Sequence, residues 1–182
     1  DVNYDGSIDE LDIVYLGNSN PKVNGGFGPT FRYGALSCNL YFVFRYGNKI
    51  INKARMNAEN MYYDNNQSIA VNWRWRKDGD QTDMPRALHE YGKNWLGSDR
   101  YVEDGSFLRF KYMTFNYALP SATVKRWGLN KVSMYLTFNN VYVWSKYTGV
   151  DPEVSYGSLN LSTDDANTPR TKDVTLGLSV GF

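Results

Sequence analysis

The 182-residue sequence predicts an all-β fold, namely antiparallel strands from a transmembrane β-barrel with long extracellular loops. Three observations lead to this prediction. Several stretches alternate between apolar and polar residues, the connections between them are short and long in turn, and charged residues interrupt otherwise apolar stretches. Period-two alternation places an apolar and a polar row on opposite faces of a strand, which suits lipid outside and water inside.

The clearest alternation lies in residues 172–182, where small or polar residues separate the apolar ones. The apolar positions are Val174, Leu176, Leu178, Val180 and Phe182. A last strand with an apolar outer row is what the closing strand of a membrane barrel needs. A half-buried edge strand of a soluble sheet would show the same pattern, so the rest of the chain must decide between the two.

Four further stretches are predicted strands, at residues 27–33, 36–46, 106–119 and 131–143. Within the third of them the alternation slips by one residue, which predicts a β-bulge near Tyr112–Met113. The alternative is that the lower barrel interior packs apolar groups against another element. Arg45, Arg109 and Lys111 interrupt the apolar stretches. Charges there are costly in a soluble core, so they are predicted to face the water-filled lumen of a barrel.

The connections predict how the chain is divided. Residues 1–26 are expected to form an extracellular acidic segment and turn, and residues 27–182 the barrel part. The long loops are predicted at about 47–105 and 144–171, with two short helices in the first. Short turns face the periplasm in outer-membrane barrels, so the chain end is predicted to be periplasmic. Because a barrel needs at least eight strands, these five must complete one begun elsewhere.

The first twelve residues, DVNYDGSIDELD, have the spacing of a calcium-binding loop. Oxygen-bearing groups recur at alternate positions, and Gly6 permits a sharp turn. The candidate ligands are Asp1, Asn3, Asp5, Ser7, Asp9 and Asp12. Asp12 replaces the usual bidentate Glu, which predicts weaker binding or a different geometry. The alternative is a solvated acidic turn without a metal.

The long loops carry candidate contacts to a substrate or partner. These are Trp73, Trp75, Arg76, Trp144 and Tyr147. Aromatic faces suit sugar rings and arginine suits acidic groups, whereas the alternative is ordinary loop packing through cation–π contacts.

Composition excludes several classes of function. A net charge of +1 does not indicate a nucleic-acid partner. Cys38 is the only cysteine, so an intrachain disulfide is impossible. The single histidine, His89, has no nearby cysteine or paired histidine and is interpreted as a loop residue rather than a metal ligand or catalytic base. No Ser/His/Asp, Cys/His or phosphate-loop arrangement is present, so an enzyme is not predicted.

Six motifs run in order along nearly the whole sequence: DVNYDGSID (1–9), LGNSNPKVNGGFG (16–28), GDQTDMPR (79–86), SDRYVEDGSFLRFKYMTFNYALP (98–120), NNVYVWSKYTGVDPEV (139–154) and TLGLSVGF (175–182). With these motifs the sequence resembles the C-terminal end of the SusC/RagA family, the TonB-dependent outer-membrane transporters of Bacteroidetes. Tyr4 departs from the glycine that the family often has there, which leaves the acidic ligand positions intact.

The resemblance implies a barrel of about 22 strands, of which this chain supplies about the last five. It also implies a plug and a TonB-contacting segment outside this sequence, outer-membrane lipid around the barrel, and a SusD-like surface lipoprotein as a lid. The implied function is TonB-dependent import of oligosaccharides or peptides. Phe182 resembles the aromatic signal that the outer-membrane assembly machinery recognises.

A soluble, calcium-stabilised carbohydrate-binding β-domain is the alternative hypothesis. It explains the acidic segment and the aromatic content of 16%. It does not explain the last strand, the alternation of short and long connections, or the charges inside strands. It predicts folding without detergent.

Overall fold

The computed structural model describes residues 2–7, 9–63, 66–87, 98–154, 161–166 and 168–182. Their strands are β1 (Val23–Phe27), β2 (Thr30–Tyr33), β3 (Leu36–Tyr46), β4 (Lys49–Ile51), β5 (Val102–Asp104), β6 (Phe107–Ala118), β7 (Lys131–Ser145) and β8 (Asp173–Gly181). Their α-helices are α1 (Lys53–Ala58) and α2 (Ser121–Arg126), and short 3₁₀ helices cover Glu10–Asp12, Ile69–Trp73 and Asp99–Tyr101. Across these ranges, no helix has the length and apolar character needed to cross a membrane.

Six of these strands form one antiparallel sheet in the order β1-β3-β6-β7-β8, with β2 also paired to β3. β1 pairs with the second half of β3 and β2 with its first half. The two therefore act as one strand, interrupted at Gly28 and by Pro29, which lacks an N–H for the ladder. The sheet has five strand positions, which confirms the predicted all-β architecture.

The register separates an apolar face from a polar face. Residues directly opposite each other in antiparallel strands share a face. One such row is Phe115, Leu136 and Leu176, and the adjacent row on the other face is Thr114, Thr137 and Thr175. Leu176 is 76% exposed. The apolar face is therefore exposed along β8 and lacks a cover among the described residues.

The predicted β-bulge is confirmed, at Lys111. The β3–β6 register shifts between Tyr41 and Phe42, where Lys111 is left without a partner on β3. In the β6–β7 pairing the register shifts between Phe110 and Tyr112, opposite Asn140 of β7, whose φ is 50°. The extra residue moves Phe110 onto the face of Phe42, where the two rings stack with centroids 4.5 Å apart.

The sheet begins earlier than the sequence indicated. Gly25 and Gly26 suggest a turn, but both lie inside β1. A Cβ on Gly26 would lie 2.8 Å from the Tyr41 hydroxyl, and one on Gly25 would lie 3.2 Å from the Phe44 ring. The glycines thus leave room for aromatic side chains of β3, which is a recognised use of glycine within strands.

The loops are more ordered than the expected irregular spans. β4 and β5 form a separate two-stranded sheet. The first expected helix is observed as α1, whose N-terminus is capped by the Asn52 side chain accepting from the Arg55 amide at 2.9 Å. The second is a 3₁₀ turn at Ile69–Trp73. His89 lies outside the described residues.

Candidate functional site

The two long loops pack on each other at one end of the sheet and form what we call the loop platform, the described residues of 47–106 and 146–166. Backbone hydrogen bonds join the two loops, from the Ile51 amide to the Ser162 carbonyl and from the Asp164 amide to the Ile51 carbonyl, both at 2.9 Å. Ile50, Tyr147 and Val154 form a small buried cluster between them. The platform is therefore a folded unit.

Glu59 is the centre of one half of the platform. Its carboxylate accepts hydrogen bonds from Arg55 at 2.8 Å and from Arg100 and the Tyr101 hydroxyl at 3.1 Å each. Burial alone would raise the pKa of this carboxyl, but the two guanidinium groups outweigh it and hold the pKa below its ordinary value. Burial and the adjacent carboxylate raise the pKa of Tyr101.

Glu103 joins the two loops. It accepts from the Thr148 amide at 2.8 Å, from the Thr148 hydroxyl at 2.7 Å and from Asn52 at 3.1 Å. Burial again raises the pKa of the carboxyl, and the hydrogen bonds from Thr148 and Asn52 outweigh it, so the net shift is downward. Both glutamates are therefore held as carboxylates at neutral pH.

Tyr147 does not occupy the position that its prediction as a contact residue requires. Its side chain is buried, and its hydroxyl donates a 2.7 Å hydrogen bond to Asp164. Burial, followed by this carboxylate, raises the pKa of Tyr147. The ring is a core element of the platform and is not available to a substrate or partner.

Arg109 and Arg45 lie on the polar face of the sheet, where the loop after β7 binds both of them. Arg109 bonds to Asp151 and lies 2.9 Å from Glu153, and Arg45 donates to the Val154 carbonyl at 3.2 Å. Asp151 and Glu153, the two carboxylates that flank Pro152, are thus ion-pair partners of Arg109 in the sheet.

Trp144 also differs from its prediction as a loop residue. β7 continues to Ser145, which pairs with Phe107, so Trp144 lies opposite Leu108 in the sheet. It packs edge-on against Tyr142 with centroids 4.9 Å apart, on the apolar face. Aromatic residues at this level of an apolar face are typical of the girdle at a membrane interface.

The structure brings Trp73 and Arg76 together in one cleft within residues 68–84. The cleft has a volume of about 370 Å³, and it is also lined by Arg74, Lys77 and Asp80, which the sequence analysis missed. Trp75 is not among the lining residues; its amide donates to the Met84 carbonyl at 3.0 Å. The signal that could have found the missed residues is the run WRWRKDGD, in which cations alternate with indole rings.

The polar face of the sheet forms a second concavity, of about 630 Å³. Stacked Tyr41 and Tyr112 rings, 5.3 Å apart, mark its upper end. It is also lined by Gly28, Leu40 and a set of uncharged amides and hydroxyls, namely Thr30, Asn39, Thr114, Asn116, Thr137 and Asn139. A surface of this kind can form hydrogen bonds with a neutral polar group but offers it no ion pair.

The acidic segment folds on itself. Asp12 accepts from the Asp9 amide at 2.8 Å and the Val2 amide at 2.6 Å, and these bonds lower its pKa. Asp5 accepts from Asn3 and from the Ser7 amide at 2.9 and 2.8 Å. Asp1 lies outside the described residues. Within the described ranges, no three acidic, histidine or cysteine side chains converge as a metal site, so calcium binding stays a prediction.

The sequence is similar to that of several TonB-dependent receptors. It is 31% identical over its whole length to TonB-dependent receptor P26 of Formosa agariphila, and 29% identical to receptor P3 of that organism. It is 36% identical over 53% of its length to TonB-dependent receptor SusC of Bacteroides thetaiotaomicron. No protein-family model matches the sequence.

The fold is similar to part of the RagAB peptide importer. The structure in the closed-closed state superposes with a TM-score of 0.76 over 92% of this chain and 18% of that chain, at 23% identity. The open-open state gives 0.74 over 90% of this chain and 17% of that chain, at 24% identity. The chain spans 19% and 18% of the length of the two Formosa relatives, so it corresponds to a portion of such proteins.

Proposed function

The chain belongs to the SusC/RagA family of TonB-dependent receptors, and from this we propose that it serves TonB-dependent import of oligosaccharides or peptides across the outer membrane. Members of this family are outer-membrane β-barrel proteins. The observation that carries the proposal is the two-faced sheet, which has an exposed apolar face for lipid and an amide- and hydroxyl-lined face for a wet lumen.

The orientation and partners follow from the same proposal. The loop platform lies at one end of the sheet, and the β2–β3 turn, the α2 connection and Phe182 lie at the other. Long loops are extracellular in such barrels, so the chain end is periplasmic. The platform then faces a SusD-like lipoprotein lid, and TonB acts through a part of the protein outside this chain.

A soluble carbohydrate-binding domain is disfavoured by the apolar face. Val174, Leu176 and Leu178 are each more than 60% exposed along β8, and their row continues across β7. A contiguous apolar surface of this kind is uncommon on monomeric soluble proteins.

The experiment uses native cells and the full polypeptide that carries this chain. Uptake of fluorescent oligosaccharides and peptides is compared in wild-type cells, in cells lacking this gene and in cells lacking TonB. We expect uptake of at least one probe to be lost in both deletion strains, and a surface lipoprotein to co-purify with the tagged receptor. Undiminished uptake of every probe, or recovery of the polypeptide in the soluble fraction, would refute the proposal.

A further inference from the structure

We propose that the cleft in residues 68–84 binds an anionic sugar, one whose rings carry carboxylate or sulfate groups. This inference rests on the proposed import function and names the class of its substrate. It is carried by three features of the cleft: its charge, the fixed position of its arginines and its exposed indole ring.

The charge of the cleft is positive. Arg74, Arg76 and Lys77 line it together with a single carboxylate, that of Asp80. Asp80 is directed into its own turn, because its Oδ2 accepts from the backbone amides of Arg76 at 2.9 Å and Lys77 at 3.1 Å. Two of the three cations are therefore not balanced by an acid lining the cleft, and an anionic ligand would be attracted.

The guanidinium groups of Arg74 and Arg76 are each fixed by a hydrogen bond to a backbone carbonyl. Arg74 donates to the Val71 carbonyl at 3.3 Å, and Arg76 donates to the Asn72 carbonyl at 3.0 Å. Each bond uses one of the five N–H donors of an arginine. The remaining donors stay fixed in a planar arrangement that suits two oxygens of one carboxylate or sulfate.

Trp73 favours a sugar ring over an acidic peptide. Its side chain is 75% exposed, although burial of an indole is strongly favourable. The segment that carries it is held by a 2.6 Å hydrogen bond from the Thr82 hydroxyl to the Trp73 carbonyl and by the adjacent Val71–Met84 core. An exposed ring on a segment held in this way provides a flat apolar surface for stacking, with the exposed amides of Asn72 and Gln81 alongside for hydroxyl groups.

The size of the cleft limits the ligand. At about 370 Å³ it lies near the lower end of the 300–1,000 Å³ that is typical of ligand pockets. It therefore accommodates a short segment of an oligosaccharide, with the rest of the chain in solvent.

The test is calorimetric binding to the full-length receptor in detergent. The probes are tetragalacturonate for carboxylates, a heparin-derived hexasaccharide for sulfates, maltotetraose as the neutral sugar and tetraglutamate as the acidic peptide. We expect at least one anionic sugar to bind about tenfold or more tightly than the neutral sugar and the peptide. Arg76→Gln should weaken that binding about tenfold, the value of one charge-assisted hydrogen bond, and Trp73→Ala should weaken it about tenfold by removing the stacking surface. Arg76→Gln should also flatten its salt dependence.

Matched controls remove the same side chains at the other end of the sheet. Trp127 is 59% exposed, and Arg126 precedes it at the end of α2. Trp127→Ala and Arg126→Gln should leave binding unchanged. Hydrogen exchange of residues 47–63 should match wild type in all four variants, which shows that the platform remains folded.

Two results would overturn the inference. One is equal or tighter binding of maltotetraose or tetraglutamate, and the other is unchanged affinity for the anionic sugars in Trp73→Ala. If either result is found while TonB-dependent uptake of a neutral sugar or peptide persists in cells, only this inference fails. If no probe shows TonB-dependent uptake, the proposed function fails as well.

Discussion

The Nε atom of Arg109 in β6 lies 2.9 Å from Oε2 of Glu153, so an ion pair joins the loop after β7 to the sheet. Arg109 is only 5% exposed, and it also bonds to Asp151. The ion pairs of Arg109 therefore fix the loop after β7 against the polar face of the sheet, at the end of the sheet where the loop platform begins.

Arg109→Gln should release this loop. Removing one partner of a buried ion pair typically costs about 3–5 kcal/mol, because the other charges stay behind without compensation. The expected result is faster hydrogen exchange at residues 146–154 in the purified receptor. Arg170→Gln is the matched control: it removes the exposed partner of the same Glu153, at 3.0 Å, and should cost less than about 1 kcal/mol. Equal acceleration of hydrogen exchange in Arg109→Gln and Arg170→Gln would contradict the role of Arg109 in fixing this loop.

The platform should loosen in acid. The pKa values of Glu59 and Glu103 lie below their ordinary value of 4.5. A lowered pKa contributes stability above the unfolded-state value and loses it as the pH falls toward the folded-state value. Hydrogen exchange of residues 98–104, corrected for its intrinsic pH dependence, should therefore be constant above pH 5 and accelerate below about 4.5.

Glu59→Gln should weaken this acid dependence and raise exchange at neutral pH, since Arg55 and Arg100 lose a shared carboxylate. Glu10→Gln removes an exposed acid outside the platform and should change neither property. An acid response that is the same in Glu59→Gln and wild type would contradict the assigned role.

The apolar face should tolerate no charge. Leu176→Arg places a cation in the outward row of β8, where arginine near the bilayer midplane costs about 2–4 kcal/mol. Thr175→Arg, one residue away on the polar face, should cost much less. The measurement is the folded, heat-modifiable fraction of the receptor in outer membranes. A larger loss of folded receptor in Thr175→Arg than in Leu176→Arg would show that the two faces have been assigned the wrong way round.

The strands could be predicted from the sequence because period-two alternation is a local property. The five strand positions and the bulge near Tyr112 followed from alternation and its one-residue slip. The start of β1 did not, because Gly25 and Gly26 suggest a turn until the aromatic residues of β3 are placed beside them.

The platform could not be predicted because its contacts join residues far apart in the chain. Tyr101 and Glu59 are separated by 42 positions, as are Arg109 and Asp151. Nothing local marks a tyrosine such as Tyr147 as buried rather than exposed. Trp73 and Arg76 were accessible to sequence reasoning since they lie within one short run.

The acidic segment provides the last prediction. Asp5, Asp9 and Asp12 have the sequence spacing of calcium ligands, and Asp12 accepts hydrogen bonds from two backbone amides. We expect Ca²⁺ to bind the full-length receptor, detected by terbium luminescence and its displacement by Ca²⁺. Asp5→Ala should weaken binding at least about tenfold, since each carboxylate contributes charge to such a site. Asp78→Ala, at an exposed turn of the first loop, is the control and should bind as wild type does. Equal luminescence in wild type and Asp5→Ala would show that this segment is a solvated turn without a metal.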